Sequence, residues 1–159
     1  MDANDEPDGV CFGGEAWNDV PAADRAWIQD AVRRALSTAG IPIRRLAVSV
    51  VRDPAMERLH ARHLADPSTT DVLTFPASAP GDSVDADVAV CIDEASRRGA
   101  GTAHGARGEL LLYVLHAVLH CRGHDDRDEA SFRRMHDEKD RILREAGFGP
   151  IFGAGEAVP

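Results

Sequence analysis

Residues 109–126 read ELLLYVLHAVLHCRGHDD, and this stretch decides the fold. Leu110 to Leu119 is apolar on every side of a helical wheel, broken only by His116. A helix with no polar face has to be buried all round, so the spacing predicts a central helix over residues 109–122. Gly123 follows, and glycine takes the positive φ that ends a helix and turns the chain back. Within the helix, His116 and His120 are four residues apart, which places both imidazoles on one face. Two such rings can share one metal ion, and zinc accepts them at about 2.0–2.1 Å. His124, Asp125 and Asp126 come directly after the turn, and any of them could return as the third ligand. Two histidines and a carboxylate leave a coordination position for water, as a catalytic site requires. Bound water of that kind can be deprotonated near neutral pH. Ala117 stands where the HExxH motif of zinc peptidases needs its glutamate, which disfavours that class.

The rest of the chain is read outward from this helix. Residues 128–146 form an amphipathic helix with Phe132, Met135, Ile142 and Leu143 inward, closed by Gly147. Upstream, residues 99–108 are polar and glycine-containing and are expected as a loop. Residues 87–92 (DVAVCI) and 72–75 are apolar and β-branched and read as strands, the latter stopped by Pro76. A short helix over 93–98 follows the first of these. Residues 46–51 (LAVSVV) are another strand, and residues 10–12 are a candidate fourth. Residues 54–63 read as a short helix with Met56, Leu59 and His63 inward. Ala22–Ala39 is an amphipathic helix, with Pro21 at its start and Gly40 at its stop. This order predicts an α+β fold with a small sheet, about five helices and the central helix carrying the ligands.

Bulk properties narrow the class. The chain has 159 residues, 43% hydrophobic, which fits one domain able to bury its own core. Residues 1–8 are expected as a disordered acidic tail, 9–147 as the domain and 148–159 as a loose C-terminal stretch. No apolar run approaches the roughly 20 residues of a membrane span. The acidic N-terminus is not a signal peptide, so a cytoplasmic protein with no membrane partner is expected. Cys11, Cys91 and Cys121 show no CxxC spacing, which argues against a disulfide framework or a cysteine-rich zinc site. The net charge of −9 disfavours tight non-specific nucleic-acid binding but leaves room for a local basic groove. Lys139 is the only lysine; the other cations are arginines, which suit bidentate phosphate contact. His60, His63, His104 and His136 lack ligand spacing and are expected at the surface or in packing.

HAVLHCRGHDD resembles the HGxLHLxGYDH signature of the YbeY-type rRNA maturation endoribonucleases. TTDVLTFP at 69–76 resembles that family's PTDVLSFP strand, and DADVAVCIDEA its GDIVIC strand and following helix. Glu109 and Met135 also fall where the family has those residues, so the resemblance runs from about Val10 to Ala146. It implies a mixed four-stranded sheet and one zinc held by His116, His120 and Asp126. Asp126 stands where the family has histidine. It remains a competent ligand that could admit another divalent metal, and His124 is the alternative. The resemblance also implies hydrolysis of single-stranded RNA in ribosomal RNA 3′-end maturation and ribosome quality control, with the small ribosomal subunit as partner. Asp125 would orient a ligand or cap the turn. Glu109 would serve behind the ligands or answer the helix dipole. The family arginine before the TDVLSF strand falls here on Leu64, with Arg62 two residues away as a candidate RNA contact. Arg97, Arg98 and Arg122 are further candidates for a phosphate. Two other readings stay open: a non-catalytic ribosome-assembly factor with a structural metal, and a metal-dependent hydrolase of a non-RNA substrate.

Overall fold

The computed structural model describes residues 8–64 and 70–149, with the side chain of Leu64 left out. Four strands and five α-helices are present among them, in the order β1 (Val10–Gly13), α1 (Ala22–Ala39), β2 (Ile43–Val51), α2 (Asp53–Leu64), β3 (Val72–Pro76), β4 (Val84–Cys91), α3 (Ile92–Gly99), α4 (Gly105–Cys121) and α5 (Glu129–Glu145). A single 3-10 turn, Trp17–Asp19, joins β1 to α1. The sheet order is β1-β2-β4-β3. β1, β2 and β4 run parallel and β3 runs antiparallel at the edge. The fold is therefore α+β with a mixed four-stranded sheet. No described helix is long and apolar enough to cross a membrane.

The two faces of the sheet follow from residue alternation. Leu46, Val48 and Val50 of β2 and Val84, Ala86, Val88 and Val90 of β4 point into the main core. The opposite face divides along its length. At one end Arg45 bridges Asp85 and Asp87 across the strands at 3.0 Å each, in contact with solvent. At the other end Val51, Leu73, Ala89 and Cys91 are covered by Met56 of α2. The main face is covered by α4, which also packs against α1, α3 and α5. Twelve residues of α4 are buried, so each of its leucines lies in packed surroundings. Truncating one to alanine would cost about 2–5 kcal/mol.

The structure corrects several expectations. α4 begins at Gly105, inside the segment read as a loop. Gly105 takes φ +64° at its start, whereas the glycines on either side serve close approach. A Cβ on Gly99 would lie 2.5 Å from the Gly105 backbone, and one on Gly108 would lie 2.5 Å from the His104 side chain. β2 and β4 each begin three residues earlier than expected, in polar stretches held by the Arg45 bridges and by pairing with neighbours. Ile92 opens α3 instead of closing β4. Phe132 lies on the outside of α5 and is 46% exposed, whereas Met135, Ile142 and Leu143 point inward as read. His63 is exposed on α2 rather than inward.

The domain ends are also more ordered at their margins than expected. Asp8 accepts from the Val10 amide and bonds to Arg33, while residues 1–7 lie outside the described set. Phe148 is buried against Trp27 and beneath the Arg34 guanidinium, so packed structure continues past Gly147. Residues 150–159 lie outside the described set.

Candidate metal centre

α4 is buried from Gly108 to Cys121 except at two residues, His116 and His120. Those two face a gap between α4 and the edge strand β3. The core thus holds the helix on every side but one, and the open side carries both imidazoles. Their Nε2 atoms are 3.1 Å apart and their rings meet edge-on at 74°.

The chain then reverses. The amides of Arg122 and Gly123 bond back to the Val118 and His120 carbonyls, and Gly123 takes φ +97°. The His124 amide bonds to the Leu119 carbonyl at 3.0 Å. This turn brings Asp126 Oδ2 to 3.9 Å from His116 Nε2. One ligand atom from each of His116, His120 and Asp126 lies within 4.8 Å of the others. Neighbouring donors of a tetrahedral zinc at ordinary bond lengths are about 3.4 Å apart, so this donor set fits a single ion with small adjustments. Burial, with His120 second, holds the proton affinity of His116 below the ordinary histidine value. A neutral imidazole is the form that offers a lone pair to a metal.

The three side chains line a cleft of about 650 Å³. Its far wall is β3, with Thr70 and Asp71 before it. His63, from the last turn of α2, lies against Phe75 with ring centroids 4.7 Å apart and closes one end.

The other expected residues are placed as follows. His124 lines an adjacent cleft and does not meet His116 and His120. Asp125 accepts from the Arg127 amide at 3.2 Å, which caps the turn. Glu109 is buried and its Oε1 lies 2.8 Å from His104 Nε2, an internal pair outside the described cleft lining. Arg62 is exposed on α2 and does not line the cleft. Arg98 holds Asp71 at 3.1 Å, and Arg97 forks onto Asp53 at 2.7 and 2.9 Å. Arg122 caps α4 and reaches the Asp82 carbonyl at 3.3 Å.

Sequence reading missed His63 and assigned no site role to Asp71. No local spacing links α2 or β3 to α4, so only the resemblance of TTDVLTFP pointed to that wall. It also missed a second ligand-type cluster, Asp53, Cys91 and Asp93, which meets at the β4–α3 junction.

Comparison with known proteins yields a consistent set. The family model described as Endoribonuclease YbeY matches residues 15–147. An Endoribonuclease YbeY of a Nocardioides species is 29% identical over 111 residues, covering 64% of this chain and 74% of that one. The Mycobacterium tuberculosis protein of the same name is 31% identical over 115 residues, and the match spans 65% of each. That of Beutenbergia cavernae is 34% identical over 111 residues, covering 64% of this chain and 74% of that one. A Thermotoga maritima protein solved in solution has the same fold, with TM-score 0.60, 20% identity and coverage of 86% and 88%.

Proposed function

The chain belongs to the YbeY endoribonuclease family, and from that premise we propose that it hydrolyses single-stranded RNA, using one divalent metal held by His116, His120 and Asp126. The observation that carries this reading is the convergence of those three side chains in one open cleft. Zinc is the ion that the two imidazoles favour, and the carboxylate keeps iron or manganese within reach. A metal held there supplies Lewis acidity toward water and toward a phosphoryl oxygen. The chain's own contribution is geometric. α4 fixes the two imidazoles from within the core, and the Gly123 turn sets the carboxylate. β3 and the His63–Phe75 pair bound the space in which a strand would lie. The natural substrate proposed is the 3′ region of ribosomal RNA on the small ribosomal subunit, in the cytoplasm, with a part in ribosome quality control.

A structural metal in a non-catalytic assembly factor has less support. Cys121 is buried and His124 faces another cleft, so no fourth side chain joins the three among the described residues. One observation does favour a non-RNA substrate: no arginine lines the described part of the ligand cleft. RNA needs cationic contacts for affinity, and they would have to come from beside the cleft.

The test is cleavage of a labelled single-stranded RNA carrying a ribosomal 3′ tail. Zinc-loaded wild type and His120→Ala are compared, each with and without chelator. Cleavage by wild type alone, abolished by chelator, is expected. Equal cleavage by both proteins would reveal a contaminating nuclease. No cleavage by wild type, even with small subunits added, would overturn the reading.

A further inference from the structure

The loop that returns Asp126 to the histidines is a shared wall. On one side it bounds the ligand cleft; on the other, Gly123, His124 and Asp125 bound a second cleft of about 270 Å³. Arg122, Ser131 and Arg134 complete that second cleft. Most arginines of this acidic chain are neutralised: Arg97, Arg98, Arg133 and Arg141, for example, each sit on a carboxylate. Arg122 and Arg134 do not. Arg122 Nη1 meets only the Asp82 carbonyl at 3.3 Å, and Arg134 Nη2 meets only the Ser131 hydroxyl at 3.1 Å. Two neighbouring carboxylates are already engaged by hydrogen bonds, and Asp128 also feels the Arg134 charge without pairing with it directly. Asp125 is held by the Arg127 amide and, at 3.6 Å, by its guanidinium. Asp128 takes the Ser131 amide at 2.8 Å and its hydroxyl at 3.2 Å. Two guanidiniums facing one small polar cleft, with the local acids otherwise occupied, form a place for an anion.

We propose that this second cleft is a phosphate subsite, in which Arg122 and Arg134 hold a backbone phosphate of the same RNA strand that enters the ligand cleft. The inference rests on the RNA reading above and supplies the cations that the ligand cleft itself lacks. Because the contact is to the backbone, it positions the strand without reading its sequence. It also explains how a chain of net charge −9 can hold RNA: the positive charge is local and sits beside the metal loop.

The test is anisotropy of a fluorescein-labelled 12-nucleotide 2′-O-methyl RNA, titrated with metal-loaded protein at several salt concentrations. Each phosphate contact on a single strand contributes about 0.7 to the slope of log affinity against log salt. Arg122→Gln/Arg134→Gln is expected to weaken binding several-fold and to lower the slope by about 0.7. Arg122→Lys/Arg134→Lys is expected to keep the slope, which a fold defect would not allow. Arg133→Ala, on the same helix but paired with Glu129, is expected to leave it unchanged. A wild-type slope in the double glutamine variant would overturn the subsite alone, leaving the RNA reading intact. Salt-independent or absent binding by wild type would overturn both.

Discussion

Among the described residues two clusters bring three ligand-type side chains within 4.8 Å, and they differ in what those side chains are already doing. At Asp53, Cys91 and Asp93 every carboxylate oxygen has a donor. Asp53 Oδ1 and Oδ2 take the Arg97 fork, Asp93 Oδ1 takes Arg52 at 3.1 Å, and Asp93 Oδ2 takes the Asp53 amide at 2.8 Å. Burial pushes the Cys91 thiol up to about 11, so its ligand form is scarce at neutral pH. At His116, His120 and Asp126 no arginine intervenes among the described residues, and the two imidazole nitrogens point at each other. Proximity is common to both clusters. Ligand atoms held by one another rather than by an arginine, on the wall of an open cleft, belong to one.

The sharpest way to break this contrast is to count metal. His120→Ala is expected to lose its bound ion, with an affinity loss beyond the roughly 10–100-fold carried by outer partners of a ligand. Asp53→Asn is expected to keep a full equivalent. Elemental analysis after gel filtration reads both, and metal lost from Asp53→Asn would erase the distinction. The next effect is chemical. At pH 8 the native Cys91 thiol is ionised to only about one part in a thousand, so iodoacetamide should modify it at least about 100-fold more slowly than in urea. Mass spectrometry of the Cys91 peptide follows this, and fast native labelling would show an accessible thiolate after all. The smallest effect is on stability. Folded metal-free protein holds His116 below its ordinary 6.5, so the unfolded chain binds a proton there that the folded chain refuses. Stability should therefore fall as pH drops through 6.5, by at most about 1.4 kcal/mol per pH unit for one proton, and level off below the folded value. Urea melts of the metal-free wild type should show this limb, and His116→Gln should flatten it. An unchanged limb in that variant would assign it elsewhere.

How much of this was legible in the sequence depends on whether the signal was local. α1 matches its expected bounds, because amphipathic spacing, Pro21 and Gly40 all lie within the element. The facing histidine pair and the Gly123 turn were equally visible, being four residues and one reversal apart. The start of α4 was not. Gly105 and Gly108 read as loop residues: Gly105 opens the helix at φ +64°, and Gly108 is required by the His104 side chain, a contact made only after folding. Phe132 fits the inward stripe by spacing yet lies outside, stacked on His136 at 6.1 Å, since α5 buries only a narrow seam. The wall opposite the ligands is the least legible part. His63 and Asp71 reach it from α2 and from the approach to β3, and no periodicity joins those segments to α4.

Building two of the proposed ligands into a helix that is the core of the molecule would have a consequence for how the site opens. Backbone amides in such a helix exchange with solvent only when the whole domain unfolds, whereas a surface turn exchanges through small local openings. The backbone that carries His116 and His120 is therefore expected to open more slowly than the turn that carries Asp126. An ion would leave by release of the carboxylate first, with the imidazole pair still in register. The centre would re-form without any refolding, because two of its three points never came apart.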